Sequence, residues 1–225
     1  MIKAVIFDFD GVVVNSEPLH RQAERQALLR CGLRINDTEL EQYRDCMDEY
    51  MFGELIKKYA LRCTIEHLYA EKMKIYRSLM DARAPVIDGV PKLIEKLKAK
   101  KLKIALTTRS PADVVLPLLK KYKLYQHFDA IVTANDITQC NPSSEVYTRA
   151  ASRLGVKPEQ CVVVEDCGIA IDAVKKLGMY CIGFKNLHTG NEDLSNADFI
   201  IASIRDTPMQ KFVDIDQRKR KKVLA

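Results

Sequence analysis

Residues 2–11 read Ile2-Lys3-Ala4-Val5-Ile6-Phe7-Asp8-Phe9-Asp10-Gly11. A nearly unbroken apolar run that stops on acid, aromatic, acid and glycine is the pattern of a strand covered on both faces and ending in a tight turn. Five more runs of this kind follow, at Lys103–Thr107, Ala130–Thr133, Cys161–Val164, Tyr180–Phe184 and Asp198–Ile201. Helical patterns fit between them. Ser110-Pro111-Ala112-Asp113 reads as an N-cap with proline at the first helical position. The stretches Ser143–Leu154 and Ile169–Leu177 stop at Gly155 and Gly178, good C-terminal signals. Strand and helix alternating in this way predict the α/β class, with a Rossmann-like, open, mostly parallel sheet flanked by helices.

Between residues 15 and 85 the pattern changes. Thr38-x-x-Glu41 has the form of a capping box. Phe52, Leu55, Ile56 and Tyr59 share one helical face, and Ile65, Leu68, Tyr69, Tyr76, Leu79 and Met80 share another. No strand pattern interrupts this block. It reads as an all-helical domain, 15–85, inserted into an α/β domain made of 1–14 and 86–225. The chain has no internal repeats.

The 225 residues are 47% hydrophobic and 29% charged, ample for a real core and unlike a disulfide-stapled mini-protein or a disordered tail. The net charge of +6 is unevenly placed: residues 218–222 are all Arg or Lys, and without those five the balance is 31 basic to 30 acidic. The basic signal therefore belongs to a solvated C-terminal segment. With no Trp and no aromatic–basic interleaving, nucleic acid is not the expected partner. No stretch reaches the roughly 18 apolar residues that span a bilayer, and acid interrupts the early apolar run, so no secretory signal or membrane partner is expected. The seven cysteines never form C-x-x-C and read as small hydrophobes in a reducing, cytoplasmic setting. Oligomeric state leaves no mark on the sequence.

In an open parallel sheet, ligands bind beyond the carboxyl ends of the strands. The first strand ends on Asp8 and Asp10, the second on Thr107 and Thr108, and the fourth on Glu165 and Asp166. Four carboxylates brought to one edge repel one another unless a cation joins them. Mg²⁺, which takes a few carboxylates together with a phosphate, is the natural candidate.

Phe7-Asp8-Phe9-Asp10-Gly11-Val12, then Ser16-Glu17-Pro18-Leu19-His20, Asp88-Gly89-Val90-Pro91, Lys103-Ile104-Ala105-Leu106-Thr107-Thr108 and Val162-Val163-Val164-Glu165-Asp166 resemble the haloacid dehalogenase superfamily. The likeness is to its phosphatase and β-phosphoglucomutase-like members with a helical cap after the first strand. It runs over roughly residues 1–202 with the motifs in order. The resemblance implies that Asp8 is a nucleophile forming an aspartyl-phosphate and Asp10 the general acid and then base. It implies Mg²⁺ bound by Asp8, the Asp10 backbone carbonyl and Asp166, with Glu165 as ligand or outer partner. Thr108 best matches the hydroxyl that binds phosphoryl oxygens, with Thr107 as the alternative. His20, at the hinge into the cap, is either a substrate contact or an ordinary surface histidine. The expected substrate is a small phosphorylated metabolite.

One departure stands out. Where the family's pattern carries lysine before proline, this chain reads Cys140-Asn141-Pro142, so Asn141 brings a hydrogen bond without a charge. A unit charge about 4 Å away is worth on the order of 4 kcal/mol at an effective dielectric of 20, before solvent discounts it. Arg109, directly after Thr108, is the candidate to replace it. A slow, specialised enzyme would equally account for the asparagine, as would a deliberately altered residue. Asn15 and Cys167 stand where an acid and a serine are usual. Three functions remain: phosphatase, phosphomutase, or a binding protein that keeps the fold. The segment Tyr43–Asp48 lacks the glycine loop expected of a sugar-phosphate mutase.

Overall fold

The computed structural model describes residues 1–43, 46–138 and 144–213. Asn141, Ser143 and the basic run 218–222 lie outside the described residues. The chain divides into two compact units, Met1–Asn15 with Pro85–Ala225, and Ser16–Ala84. In chain order it runs β1 (Ala4–Asp8), α1 (Glu17–Arg30), α2 (Asp37–Glu41), α3 (Asp48–Tyr59), α4 (Ile65–Arg83), α5 (Val90–Ala99), β2 (Lys103–Thr107), α6 (Ala112–Lys121), β3 (Ala130–Val132), α7 (Glu145–Leu154), β4 (Cys161–Glu165), α8 (Gly168–Lys176), β5 (Tyr180–Phe184) and β6 (Phe199–Ile201).

The first unit is a six-stranded sheet in the order β3-β2-β1-β4-β5-β6. Every pairing in it is parallel. Its near-continuous apolar strands are explained by coverage on both faces. One set of alternating residues, including Ala4, Ile6, Ala105, Cys161, Val163 and Cys181, packs beneath α7 and α8 through Val146, Tyr147, Leu154, Ile171 and Val174. The opposite set, Val5, Phe7, Ile104, Leu106, Val162 and Val164, is fully buried as well. β1 lies between β2 and β4 with Asp8 opposite Thr107 and Phe7 opposite Val164, so the acidic and hydroxyl-bearing ends line up. Strand order reverses direction about β1, which is where such sheets form their ligand crevice.

The second unit is helical throughout. α1 and α4 pack along each other. α3 buries Met51, Phe52 and Leu55, and α4 buries Leu68, Met73, Ile75, Tyr76 and Met80. Tyr59 and Tyr69, expected on those faces, are exposed. Tyr59 turns outward because its hydroxyl donates to Glu39. A side chain not expected inside takes part instead: Lys72, buried, reaches both Asp48 oxygens at 2.6 and 2.7 Å and Glu24 at 3.2 Å. Burial pulls the Lys72 ammonium down, but Glu24 and Asp48 outweigh it and hold the group above its ordinary range.

Two expected caps move by one or two residues. The α2 cap is Asn36, whose side-chain oxygen accepts the Glu39 amide at 2.8 Å, rather than Thr38. The first residue of α6 is Ala112, with Pro111 in the cap position and Ser110 before it. The Ser110 hydroxyl is engaged elsewhere, and the side-chain oxygen of Asn135 accepts the Ala112 amide instead. Among the six described cysteines, Cys161 and Cys181 are buried, whereas Cys46 is exposed and Cys31, Cys63 and Cys167 are partly so.

Candidate active site

Asp8 ends β1, and the chain then turns through Phe9, Asp10 and Gly11. The turn is closed by the Gly11 amide on the Val14 carbonyl (2.8 Å) and by the Val13 and Val14 amides on the Phe9 carbonyl. Gly11 is required here twice over. Its φ of +81° disfavours any side chain, and a Cβ would lie 1.8 Å from Asp166 Oδ2. The Asn186 side-chain amide holds the turn from the far side, donating to the Gly11 carbonyl at 2.9 Å while its oxygen accepts the His188 amide.

The parallel register carries three carboxylates together. Oxygens of Asp8, Glu165 and Asp166 all lie within 4.8 Å of one another, the one such group of three or more potential ligands among the described residues. Glu165 is buried, accepts a hydrogen bond from the Tyr147 hydroxyl and accepts the Asp166 amide at 3.2 Å. Burial pushes the Glu165 carboxyl up to about 7 despite those bonds. Asp8 is pushed well above the usual carboxylate range, first by burial and then by repulsion from Glu165, Asp10 and Asp166; Arg109 opposes the shift. Three hard oxygen donors that repel one another in a partly dry cleft, kept open where a Cβ would intrude, fit a hard divalent cation.

Asp10 is held differently. Its Oδ2 accepts the Thr108 hydroxyl at 3.0 Å and the Ser110 hydroxyl at 2.8 Å, and Thr108 Oγ1 accepts the Ser110 amide at 2.9 Å. The Thr107 hydroxyl turns back to the Phe7 carbonyl at 3.4 Å, inside the sheet. Of the two threonines, Thr108 is therefore the one beside the acids. Arg109 reaches solvent, yet partial burial pulls its guanidinium down and the acids Asp8 and Glu165 outweigh that and hold it above its ordinary range. Ser110 and Asn186 are site residues that sequence reasoning passed over. Ser110 stands two residues after Thr108, a spacing masked by its resemblance to a helix cap. Asn186 had no local signal, since its partner is 175 positions away. His20 belongs to the helical unit, where its ring stacks on Tyr76 with centroids 3.9 Å apart.

The structure thus places an acidic cluster that could hold a cation, beside two hydroxyls, at the switch point of a parallel sheet in an α/β protein. The haloacid dehalogenase-like hydrolase profile matches residues 5–184, and the chain belongs to that family. Among its relatives is the validoxylamine A 7'-phosphate phosphatase of Streptomyces hygroscopicus subsp. limoneus, 29% identical over 207 residues, covering 92% of this chain and 96% of that protein. The β-phosphoglucomutase of Bacillus subtilis (strain 168) is 24% identical over 217 residues, covering 93% of each. Among solved structures, a family IA, variant 3 hydrolase from Entamoeba histolytica matches with a TM-score of 0.84 over 95% of this chain and 99% of that one. At 23% identity it speaks for the fold alone.

Among the described residues, no helix is long and apolar enough to cross a membrane.

Proposed function

We propose that this chain is a Mg²⁺-dependent phosphatase that releases phosphate from a small phosphorylated metabolite through an aspartyl-phosphate on Asp8. The observation that carries the reading is the separation of two kinds of carboxylate at one strand edge. Asp8, Glu165 and Asp166 form a cluster suited to an ion, while Asp10 is held by two hydroxyls and is suited to handling a proton.

An Asp8 oxygen attacks phosphorus, the ester P–O bond breaks, and Asp10 in its acid form gives its proton to the departing alcohol oxygen. Asp10 then accepts a proton from the water that attacks the aspartyl-phosphate, which returns the Asp8 carboxylate and frees inorganic phosphate. The Thr108 hydroxyl turns from Asp10 to donate to the phosphoryl oxygens when substrate is bound. Arg109 supplies the positive charge that Asn141 does not, discounted by its exposure to solvent. Mg²⁺ held by Asp8, Asp166 and the Asp10 carbonyl, with Glu165 as ligand or outer partner, would neutralise the phosphate dianion facing these acids.

Relatives named phosphorylated carbohydrates phosphatase and fructose-1-phosphate phosphatase make sugar phosphates the first compounds to screen. The test is phosphate release across such a panel, with Mg²⁺ or with EDTA, for the chain and for Asp8→Asn. Release that needs Mg²⁺ and falls by about 10³-fold or more in Asp8→Asn is expected. Conversion to an isomer without release makes the chain a phosphomutase instead, and binding without turnover removes it from the enzymes.

A further inference from the structure

The helical unit holds a second chemical feature, unrelated to the acids of the sheet. A surface cavity of about 440 Å³ is lined by Cys31, Cys63, Arg30, Arg62, Thr64 and His67. The two cysteines border the same cavity, neither of them inside a helix. Both are partly exposed, so a small reagent can reach them. They come from opposite helix ends. Cys31 caps the C-terminus of α1, with its amide on the Ala27 and Leu28 carbonyls, and Cys63 precedes Thr64, the N-cap of α4.

We propose that Cys31 and Cys63 form a reversible, peroxide-sensitive disulfide that links the end of α1 to the start of α4. The polarity of the pair supports an order of events. A negative charge is disfavoured at a helix C-terminus and favoured at an N-terminus, and Arg62 stands next to Cys63. Burial, and after it the neighbourhood of Cys63, pushes the Cys31 thiol up to about 11. Cys31 thus stays protonated and is suited to the second step.

The Cys63 sulfur attacks one oxygen of hydrogen peroxide, the O–O bond breaks, and the other oxygen leaves as water after taking up a proton. The Cys31 sulfur then attacks the resulting sulfenic acid, the S–OH bond breaks, and the S–S bond forms with loss of a second water. Two thiols give up two electrons and two protons, and one peroxide becomes two waters. The balance needs no metal. His67 lines the same cavity, but the ligand atoms of Cys31, Cys63 and His67 do not gather within 4.8 Å of one another.

The proposal is tested on the full chain by titration with hydrogen peroxide, quenching with an alkylating reagent and peptide mass mapping. The expected result is loss of two alkylatable thiols, a Cys31–Cys63 linked peptide two hydrogens lighter than its parts, and full reversal by dithiothreitol. Cys31→Ser and Cys63→Ser should each abolish the link. In the oxidised chain, closing a loop of about thirty residues should raise the unfolding temperature of the helical unit by several degrees. The proposal is overturned if both thiols remain alkylatable while Cys46 is consumed. It is equally overturned if the same link forms as fast in the urea-unfolded chain, because the folded geometry then contributes nothing.

Discussion

At the scale of single residues, charge and space at the β1 turn decide what the site can do. Asp8 is surrounded by three other acids and opposed by Arg109. Replacing Arg109 with Met, which keeps length and removes charge, should lower kcat/KM for a phosphate ester by about tenfold or more, a discounted share of the Coulomb term. Adding Asn141→Lys to that variant should recover part of the loss, as read by steady-state kinetics. If the double variant is no better than Arg109→Met, the two positions do not share a role. Gly11 carries the matching steric argument. Gly11→Ala strains a φ of +81° and drives a methyl against Asp166. We expect a stability loss of about 1–3 kcal/mol and Mg²⁺ binding weakened at least tenfold, measured by titration calorimetry. Unchanged affinity would mean that Asp166 can move aside freely.

At the scale of elements, the helical unit is pinned by a buried charge network. Glu17 and Glu24 on α1 hold Arg21 at 3.1 and 2.9 Å, and Glu24 shares Lys72 of α4 with Asp48 at the start of α3. Removing the one ammonium leaves Asp48 without its partner and Glu24 with Arg21 alone, in a poorly solvated setting. Lys72→Met should therefore destabilise this unit by about 3–5 kcal/mol, despite the apolar replacement. Urea unfolding followed by circular dichroism reads the effect, and Glu24→Gln should cost less. A neutral or stabilising Lys72→Met would show that methionine packs well enough for both acids to take up protons or water. The alternating apolar periods that mark α3 and α4 announced the helices but not this network, because a lysine on a helix reads as solvated until its neighbours in space are known.

At the scale of the whole molecule, the acids couple stability to pH and to metal. Glu165 is pushed up to about 7, against an ordinary glutamate value of 4.5. The folded chain keeps a proton there that the unfolded chain has released, so this contribution to stability is complete below about pH 4.5 and is lost as pH rises through about 7. Asp8, also raised, acts in the same direction. In EDTA the melting temperature should fall across that window. Mg²⁺ should raise it most at the upper end, where the carboxylates are free to bind. A melting temperature that is flat with pH in EDTA, or a Mg²⁺ effect that does not grow with pH, is the contrary result.

The strand pattern, the helical insertion and the acids at three strand ends were legible in the linear order, because periodicity and strand termini are local properties. Local reading erred where one side chain had two possible partners. Ser110 is a plausible helix cap in sequence, but its hydroxyl binds Asp10, a hundred positions earlier, in the folded chain. The choice between Thr107 and Thr108 also required the sheet, since alternation turns one hydroxyl into the strands and leaves the other beside the acids. Asn186 on Gly11, Lys72 between two acids, and Cys31 with Cys63 on one cavity follow from tertiary proximity alone. Backbone periodicity is written into neighbouring residues, whereas the pairing of polar groups is settled only when distant segments compete for the same donor or acceptor.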